Sequence, residues 1–485
     1  MPAQTQADIG VIGLAVMGQN LVLNLADHDF RVAVFNRSPR RTKEFARGSA
    51  SARAVVPTYD LESFVAAIAR PRTILIMIKA GSAVDDQIDA LLPLLEDGDV
   101  IVDGGNSLFT DTQRRYEQLR GSGIAYVGAG ISGGEEGARH GPSIMPGGDE
   151  TAWPVIRNAI TAIAATANGE PMAAWIGPGG SGHYVKMVHN GIEYGDMQVI
   201  AEAYDIMTRG MGHSPDQMSE QFRFWNEGNL RSYLIEITAD ILGHKEPDGV
   251  HTIDHILDAA GQKGTGKWTV IASMDQGVPV SLVAESVYAR MVSALVDERT
   301  LVSLRFPTPI DTSHFDADGV IDDLSDALYA SKIISYAQGF MLINAASHEH
   351  EWNLDQGTIA GLWRAGCIIR SRFLEDITSA YRAQPGLANL LLDDFFAGEI
   401  ETSLPGWRRT VVRAVRAGIP VPAYSSALAF YDAYRSQRVP ANLIQAQRDY
   451  FGAHTYERTD AERGEWFHTD WTGHGGDVTS GAYEA

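Results

Sequence analysis

Short apolar runs alternate with amphipathic stretches through the first third of the chain. The runs at 8–12, 31–35, 73–78, 100–103, 124–127 and 173–176 read as strands. Segments between them, such as 19–26 and 110–120, carry helical spacing. Alternation of this kind predicts a parallel sheet wound by helices on both faces. After about Gly180 the strand signals fade. Long stretches at helical spacing take over at 182–210, 281–304, 324–346 and 359–374, with few prolines inside them. After about Gln437 the pattern changes again. The last stretch, WFHTDWTGHGGDVTSGAYEA, is rich in Gly, Thr and aromatics and has no helical period. Such a tail cannot build its own core, and Trp466, Phe467 and Trp471 favour docking on another surface.

The expected fold is therefore α/β plus all-α. A Rossmann-like, doubly wound sheet domain is expected over 1–179, a large all-helical domain over 180–436 and an extended C-terminal tail over 437–485. A length of 485 residues suits two or three domains. No run of about 18 apolar residues exists, so no membrane-spanning helix is expected. The start, MPAQTQADIGVIG, lacks the basic and apolar regions of a signal peptide. Cys367 is the only cysteine, which excludes an internal disulfide and a cysteine metal cluster. These features point to the cytoplasm.

The net charge of −22 argues against binding nucleic acid or an anionic membrane. A phosphate ligand would need cations concentrated at one place. Seven of the 39 basic residues are lysines: Lys43, Lys79, Lys186, Lys245, Lys263, Lys267 and Lys332. Arginine stays charged at neutral pH, whereas a buried lysine can act as a base. The scarcity of lysine fits either compositional bias or retention where arginine cannot serve.

The first strand runs into Gly13-Leu14-Ala15-Val16-Met17-Gly18, a GxAxxG variant of the dinucleotide fingerprint. Small residues there allow a tight turn and bring backbone N–H groups to a pyrophosphate at a helix N-terminus. Glycine turns also occur for packing alone. The strand before it, the helix after it and a second strand about 20 residues on favour the cofactor reading. After that second strand stand Asn36-Arg37-Ser38, where NAD enzymes usually place a carboxylate for the ribose hydroxyl. A guanidinium suits a 2′-phosphate, so NADP is the expected cofactor, unless Arg37 is a solvated turn residue. Two further loops follow strand ends: Ile78-Lys79-Ala80-Gly81 and Asp103-Gly104-Gly105-Asn106-Ser107. Asn106 is placed to meet a nicotinamide or a substrate.

The densest polar pattern is GPGGSGHYVKMVHNGIEYGDMQ, residues 177–198. On a helix, Lys186, His189, Asn190 and Glu193 fall at i, i+3, i+4 and i+7, on one face, with Tyr194 beside it. Such a face is either solvated or an active site.

This stretch closely resembles the 6-phosphogluconate dehydrogenases. So do residues 132–139 (SGGEEGAR), 262–269 (QKGTGKWT) and 447–456 (QRDYFGAHTY). The resemblance runs the length of the chain, with Ser38 where the family often has Thr and Ala15 replacing a possible middle Gly. It implies NADP-dependent oxidation and decarboxylation of 6-phosphogluconate to ribulose 5-phosphate. Lys186 is implied as general base and Glu193 as the acid that protonates C1 of the enediol. Asn106, Ser132, Gly133, Gly134, His189 and Asn190 match positions that hold the sugar acid. Tyr194, Lys263, Arg290 and Arg448 match the phosphate clamp, with His454 also touching substrate. The segment bearing Arg448 and His454 reaches a neighbouring subunit in the family, which implies a homodimer with shared sites. A β-keto acid carries its own electron sink and no metal-ligand spacing is present, so no metal is expected.

Shorter β-hydroxyacid dehydrogenases share the cofactor loop and the lysine helix but lack KGTGKWT and QRDYFGAHTYE. A non-catalytic NADP sensor on this fold would be expected to have lost Lys186 or Glu193, and both are present.

Overall fold

The computed structural model describes residues 6–307 and 309–474. The first residues of the start and residues 475–485 of the predicted tail lie outside the described residues. The chain divides into two compact units, Met1–Ala427 and Leu428–Ala485.

The first unit opens with a seven-stranded sheet. Its strands are β1 (Ile9–Ile12), β2 (Val32–Phe35), β3 (Val55–Pro57), β4 (Thr73–Ile76), β5 (Val100–Asp103), β6 (Ala125–Ile131) and β7 (Ile144–Gly148), in the order 3-2-1-4-5-6-7. All neighbours are parallel except β6 and β7. Successive residues point to opposite faces, and both faces are covered. Val32, Val34, Leu75, Val100 and Val102 enter one core, while Ala33, Ile74, Ile76 and Ile101 enter the other. That two-sided burial is why these strands are unbroken apolar runs. The order reverses between β1 and β4, which opens a crevice at their carboxyl ends.

Three strand expectations change. The run at 173–176 forms no strand; Ala173 makes only an isolated bridge to Ile144. β3 and β7 were not expected, because Pro57 and the Pro146-Gly147-Gly148 sequence interrupt their strand signal. Both avoid a central position: β3 and β7 are the sheet edges, where a missing donor costs least.

Helices follow. The 25-residue helix Ser181–Asp205 packs against β6 and β7. It ends in a π-turn, Ile206–Gly210. The stretch expected at 281–304 is two helices, Ser281–Ser293 and Val296–Arg305. Helix Val320–Glu349 has 20 buried residues and forms the centre of the helical part. The helix expected over 359–374 is broken. It stops at Leu362, and a new one begins at Leu374. Gly366 between them has φ +66, and a Cβ there would press on Ala165 and on the carbonyl of Gly141. Cys367 in that bend is fully buried, and its thiol donates to the Trp363 carbonyl at 3.1 Å.

The second unit contains helix Ala441–Gly452 and an antiparallel pair, Tyr456–Glu457 with Trp466–Phe467. Its organiser is polar. The buried Asp449 carboxylate accepts from Thr455 N (3.0 Å), His468 Nδ1 (2.9 Å), Thr469 N (3.1 Å) and Trp471 Nε1 (2.8 Å). Burial pushes Asp449 up, but these donors outweigh it and hold the carboxyl below its ordinary range. The described part of the tail is thus knitted locally by one carboxylate rather than by an apolar core.

Candidate functional site

Two groups of the expected residues come together in the first unit. The first group surrounds the crevice between β1 and β4. The turn after β1 has Gly13 at φ +99, and a Cβ there would strike the Met77 carbonyl. A Cβ on Gly18 would fall against the Gly13 carbonyl, so glycine is needed at both ends of the turn. Leu14 N donates to Asn36 Oδ1 at 3.0 Å, which ties the turn to the end of β2. Helix Val16–Asp27 then opens with its first N–H groups free of a side-chain cap. Met17 packs on the sheet core, while Ala15 and Val16 are exposed.

A cleft of about 810 Å³ lies at this point, and Gly13, Ala15, Asn36, Arg37, Ser38, Ile78 and Lys79 line it. Ala80 follows in the same loop. Arg40 and Arg41 line the cleft as well, though only Arg37 was singled out from the sequence. The run Arg37-Ser38-Pro39-Arg40-Arg41, with proline starting the helix Pro39–Arg47, was the available signal. Two carboxylates, Glu44 and Asp86, also line it, and Glu44 is paired with Arg40 at 3.5 Å. The glycine cradle and the surplus of guanidinium groups fit a dinucleotide with an additional phosphate.

The second group is carried by helix Ser181–Asp205. Its first half touches the sheet backbone. A Cβ on Gly182 would meet the carbonyls of Gly128 and Met145, and one on Gly130 would meet the Lys186 side chain. Glycines on both surfaces therefore let the helix sit directly on β6. Every residue from Ser181 to His189 is buried. Lys186 and His189 on the polar face are thus inside the protein, while Asn190 and Glu193 are half-buried at its edge.

Lys186 is almost wholly enclosed. Burial lowers its amine below the ordinary lysine range, with Glu193 and Cys367 opposing. Two turns on, burial raises the Glu193 carboxyl above its ordinary range. The cations of Lys186, Arg290 and Lys263 oppose that rise, and Asp196 adds to it. One helix face therefore holds an amine whose pKa burial lowers and a carboxyl whose pKa burial raises. Opposed shifts of this kind suit a base and an acid.

Neighbours fix the rest. His189 Nε2 lies 3.3 Å from Ser132 Oγ, and its Nδ1 lies 3.1 Å from Asn190 Oδ1. Its ring meets Trp363 edge-on at 5.5 Å. Burial, then the Lys186 charge, holds His189 well below its ordinary range, so it is neutral. After Ser132, Gly133 (φ +107) and Gly134 (φ +62) begin the helix Gly134–His140 in a conformation that favours glycine. Asn190 Nδ2 donates to Thr265 Oγ1 at 3.2 Å. Thr265 lay inside a quoted motif but was not named as a site residue. Helix Thr265–Asp275 closes up on helix Ser181–Asp205 at Gly191, against Thr269, and at Gly266, against the Tyr194 ring. The Arg290 guanidinium sits 3.6 Å from the Tyr194 ring centroid and donates to the Gly261 carbonyl at 3.1 Å. Arg290, Lys263 and Tyr194 thus gather beside Glu193.

Asn106 is exposed after β5 and makes no hydrogen bond to either group. Its loop is anchored underneath. Asp103 accepts from Gly105 N at 3.0 Å and Ser107 Oγ at 2.6 Å. Arg448 and His454 belong to the second unit. Arg448 Nη1 donates to Gln445 Oε1 at 3.0 Å, and His454 packs its ring against Phe451. Among the described residues no group of three or more His, Cys, Asp or Glu is arranged to hold a metal.

Comparison with known proteins agrees with this layout. Residues 8–177 match the NAD binding domain of 6-phosphogluconate dehydrogenase, and residues 182–471 match the 6-phosphogluconate dehydrogenase C-terminal domain. A Caenorhabditis elegans decarboxylating 6-phosphogluconate dehydrogenase is 55% identical over 483 residues, covering 99% of this chain and all of the relative. Decarboxylating 6-phosphogluconate dehydrogenase 1 of Saccharomyces cerevisiae is 52% identical over 487 residues, covering 99% and 100%. The structure of Plasmodium falciparum 6-phosphogluconate dehydrogenase, described in apo form and with NADP+ and 6-phosphogluconate, superposes with a TM-score of 0.92. It is 44% identical and covers 96% of this chain and all of that one. The glycine cradle, the buried lysine–glutamate face and matches along nearly the whole length together place this chain in the 6-phosphogluconate dehydrogenase family.

Proposed function

We propose that the chain oxidises and decarboxylates 6-phosphogluconate to ribulose 5-phosphate and CO2, with NADP reduced to NADPH. What supports this reading is the placing of Lys186 and Glu193 on one helix face, where burial lowers the amine and raises the carboxyl, in a chain that matches this family along nearly its whole length. The Gly13–Gly18 turn would hold NADP, with Arg37, Ser38, Arg40 and Arg41 at its 2′-phosphate, and the bound cofactor would supply the acceptor for the hydride leaving C3. Lys186, neutral, takes the proton of the C3 hydroxyl. The 3-keto acid so formed loses CO2 from C1, and the electrons move onto the ketone oxygen. Lys186, now protonated, stabilises that oxygen. Glu193, protonated, gives its proton to C1 of the enediol. Arg290, Lys263 and Tyr194 hold the substrate phosphate, which concentrates positive charge in a chain of net charge −22. Ser132, Gly133, Gly134, His189, Asn190 and Asn106 orient the sugar acid.

The reading extends to organisation. We infer a nucleotide domain over 1–179, a helical domain over 180–436 and a docking tail from 437. A homodimer would let the tail of a second copy bring Arg448 and His454 to each site. Large apolar side chains in need of cover support this: Leu301, Leu304 and Phe306 on the first unit, Leu443, Ile444 and Phe451 on the second. No helix among the described residues is long and apolar enough to cross a membrane. With a single buried cysteine, this fits a cytoplasmic enzyme.

The test is absorbance at 340 nm with 6-phosphogluconate and NADP, run with a measurement of released CO2. Equal yields of NADPH and CO2 are expected. NADPH without CO2 would assign a simple hydroxyacid dehydrogenase, and no turnover would defeat the reading.

A further inference from the structure

A second cationic cleft lies outside the residues assigned to either ligand. It has a volume of about 500 Å³ and is lined by Arg231, Tyr233, Arg364, Arg370 and Arg372. Its construction is specific. Ser232 and Ser371 form an isolated antiparallel bridge. Tyr233 N donates to the Arg370 carbonyl and Arg372 N to the Arg231 carbonyl, each at 3.0 Å. Side chains alternate across such a pair. Ser232 and Ser371 line the cleft too but are withdrawn: Ser232 is buried, capping helix Tyr233–Gly243, and the Ser371 hydroxyl is enclosed. Arg231, Tyr233, Arg370 and Arg372 share the opposite side of the pair and supply the cleft's charge.

That face carries an electrostatic cost. Arg231 stands opposite Arg372, and like charges directly opposed across a strand pair destabilise it. The chain has 61 carboxylate residues against 39 basic ones, yet among the described residues none forms an ion pair with Arg231, Arg370 or Arg372. Arg370 instead rests on the Tyr233 ring, 3.8 Å from its centroid, and donates to the Cys367 carbonyl at 3.3 Å. Two carboxylates, Glu236 and Glu375, also line the cleft; Glu375 accepts from Asn168 at 3.0 Å, Glu236 forms no ion pair with the three arginines, and Arg364 is engaged by Glu170 at 2.7 Å. Arg372 is shared in part with Asp376, whose carboxyl it draws down against burial.

We propose that this cleft is an anion site for a small phosphate-type dianion, held by Arg231, Arg370 and Arg372. Three guanidinium groups on one face offer forked donors that match tetrahedral oxyanions. The ring beneath Arg370 holds one donor in place before binding.

The test titrates inorganic phosphate into full-length protein by calorimetry at low ionic strength. The wild type, Arg231→Gln/Arg372→Gln and Lys263→Gln/Arg290→Gln are compared. With the cofactor cleft saturated by NADP, two phosphates per chain are expected in the wild type, one in this cleft and one in the proposed catalytic clamp. Arg231→Gln/Arg372→Gln should weaken one of them at least about tenfold while dehydrogenase activity is retained. Both side chains are exposed, so the retained activity also reports an intact fold. The clamp variant should keep the arginine-cleft phosphate. Phosphate binding unchanged in Arg231→Gln/Arg372→Gln overturns the proposal, as does its complete loss in the clamp variant. A clamp variant that still binds two phosphates counts against the clamp and leaves this site standing.

Discussion

The crevice at β1 and β4 and the buried face of helix Ser181–Asp205 use charge in opposite ways. At the crevice, Arg37, Arg40 and Lys79 stand in solvent, with Ser38 beside them. Their proposed task is to recognise a charge already on the ligand. On the helix, Lys186 and His189 are enclosed and Glu193 is half-buried, and burial moves each away from its ordinary range. The proposed task of Lys186 and Glu193 is to exchange protons, which a solvated lysine and glutamate would do poorly at neutral pH. The lesson is that exposure sets the role. An arginine in water discriminates, and a lysine out of water reacts.

Breaking the buried side should give the largest effect. Lys186→Ala removes the base and should lower kcat by roughly 10²–10⁴-fold, read at 340 nm. Wild-type turnover in that variant would place the base elsewhere. Breaking the exposed side should cost less and show in a different quantity. Arg37→Ala should weaken NADP by about tenfold or more and leave NAD nearly unchanged, because only the 2′-phosphate loses a partner. Equal losses for both cofactors would remove Arg37 from that role.

A third change tests how the buried face is positioned. Gly182→Ala pushes a Cβ into the backbone of β6 and β7. It should cost about 1–3 kcal/mol in denaturant unfolding and lower kcat as the helix lifts from the sheet. The smallest effect has the opposite sign. The folded Lys186 value lies below 10.5, so the fold disfavours its charged form. That penalty is fully present below the folded value and fades as pH rises towards 10.5. Lys186→Met should therefore stabilise the protein by about 1 kcal/mol at neutral pH, with the gain shrinking in alkaline solution. A stability gain independent of pH would trace it to packing alone.

The sequence made much of this legible, for identifiable reasons. β1, β2, β4, β5 and β6 are buried on both faces and so are plain apolar runs. β3 and β7 are edges that tolerate proline and glycine, and those residues hid them. The bend at Gly366 depends on contact with Ala165 and Gly141, about 200 residues away in sequence by simple numbering, so helical periodicity ran straight through it. The lysine–glutamate face was visible because four polar residues share helical spacing. Its burial was not visible, since that depends on Gly128, Gly130 and Gly182 meeting across two elements. Arg40 and Arg41 were present in the sequence beside Arg37 and became informative only when the cleft joined them. Arg231 and Arg372 are paired by tertiary structure alone, and no local pattern announces them.

The account rests on a Lys186 amine whose pKa burial lowers. With only seven lysines in the chain, each ¹⁵Nζ resonance of ¹⁵N-lysine-labelled protein can be followed against pH. The resonance that disappears in Lys186→Arg should titrate clearly below 10.5. A Lys186 that titrates at or above that value would contradict the account, because a permanently charged amine cannot take the proton.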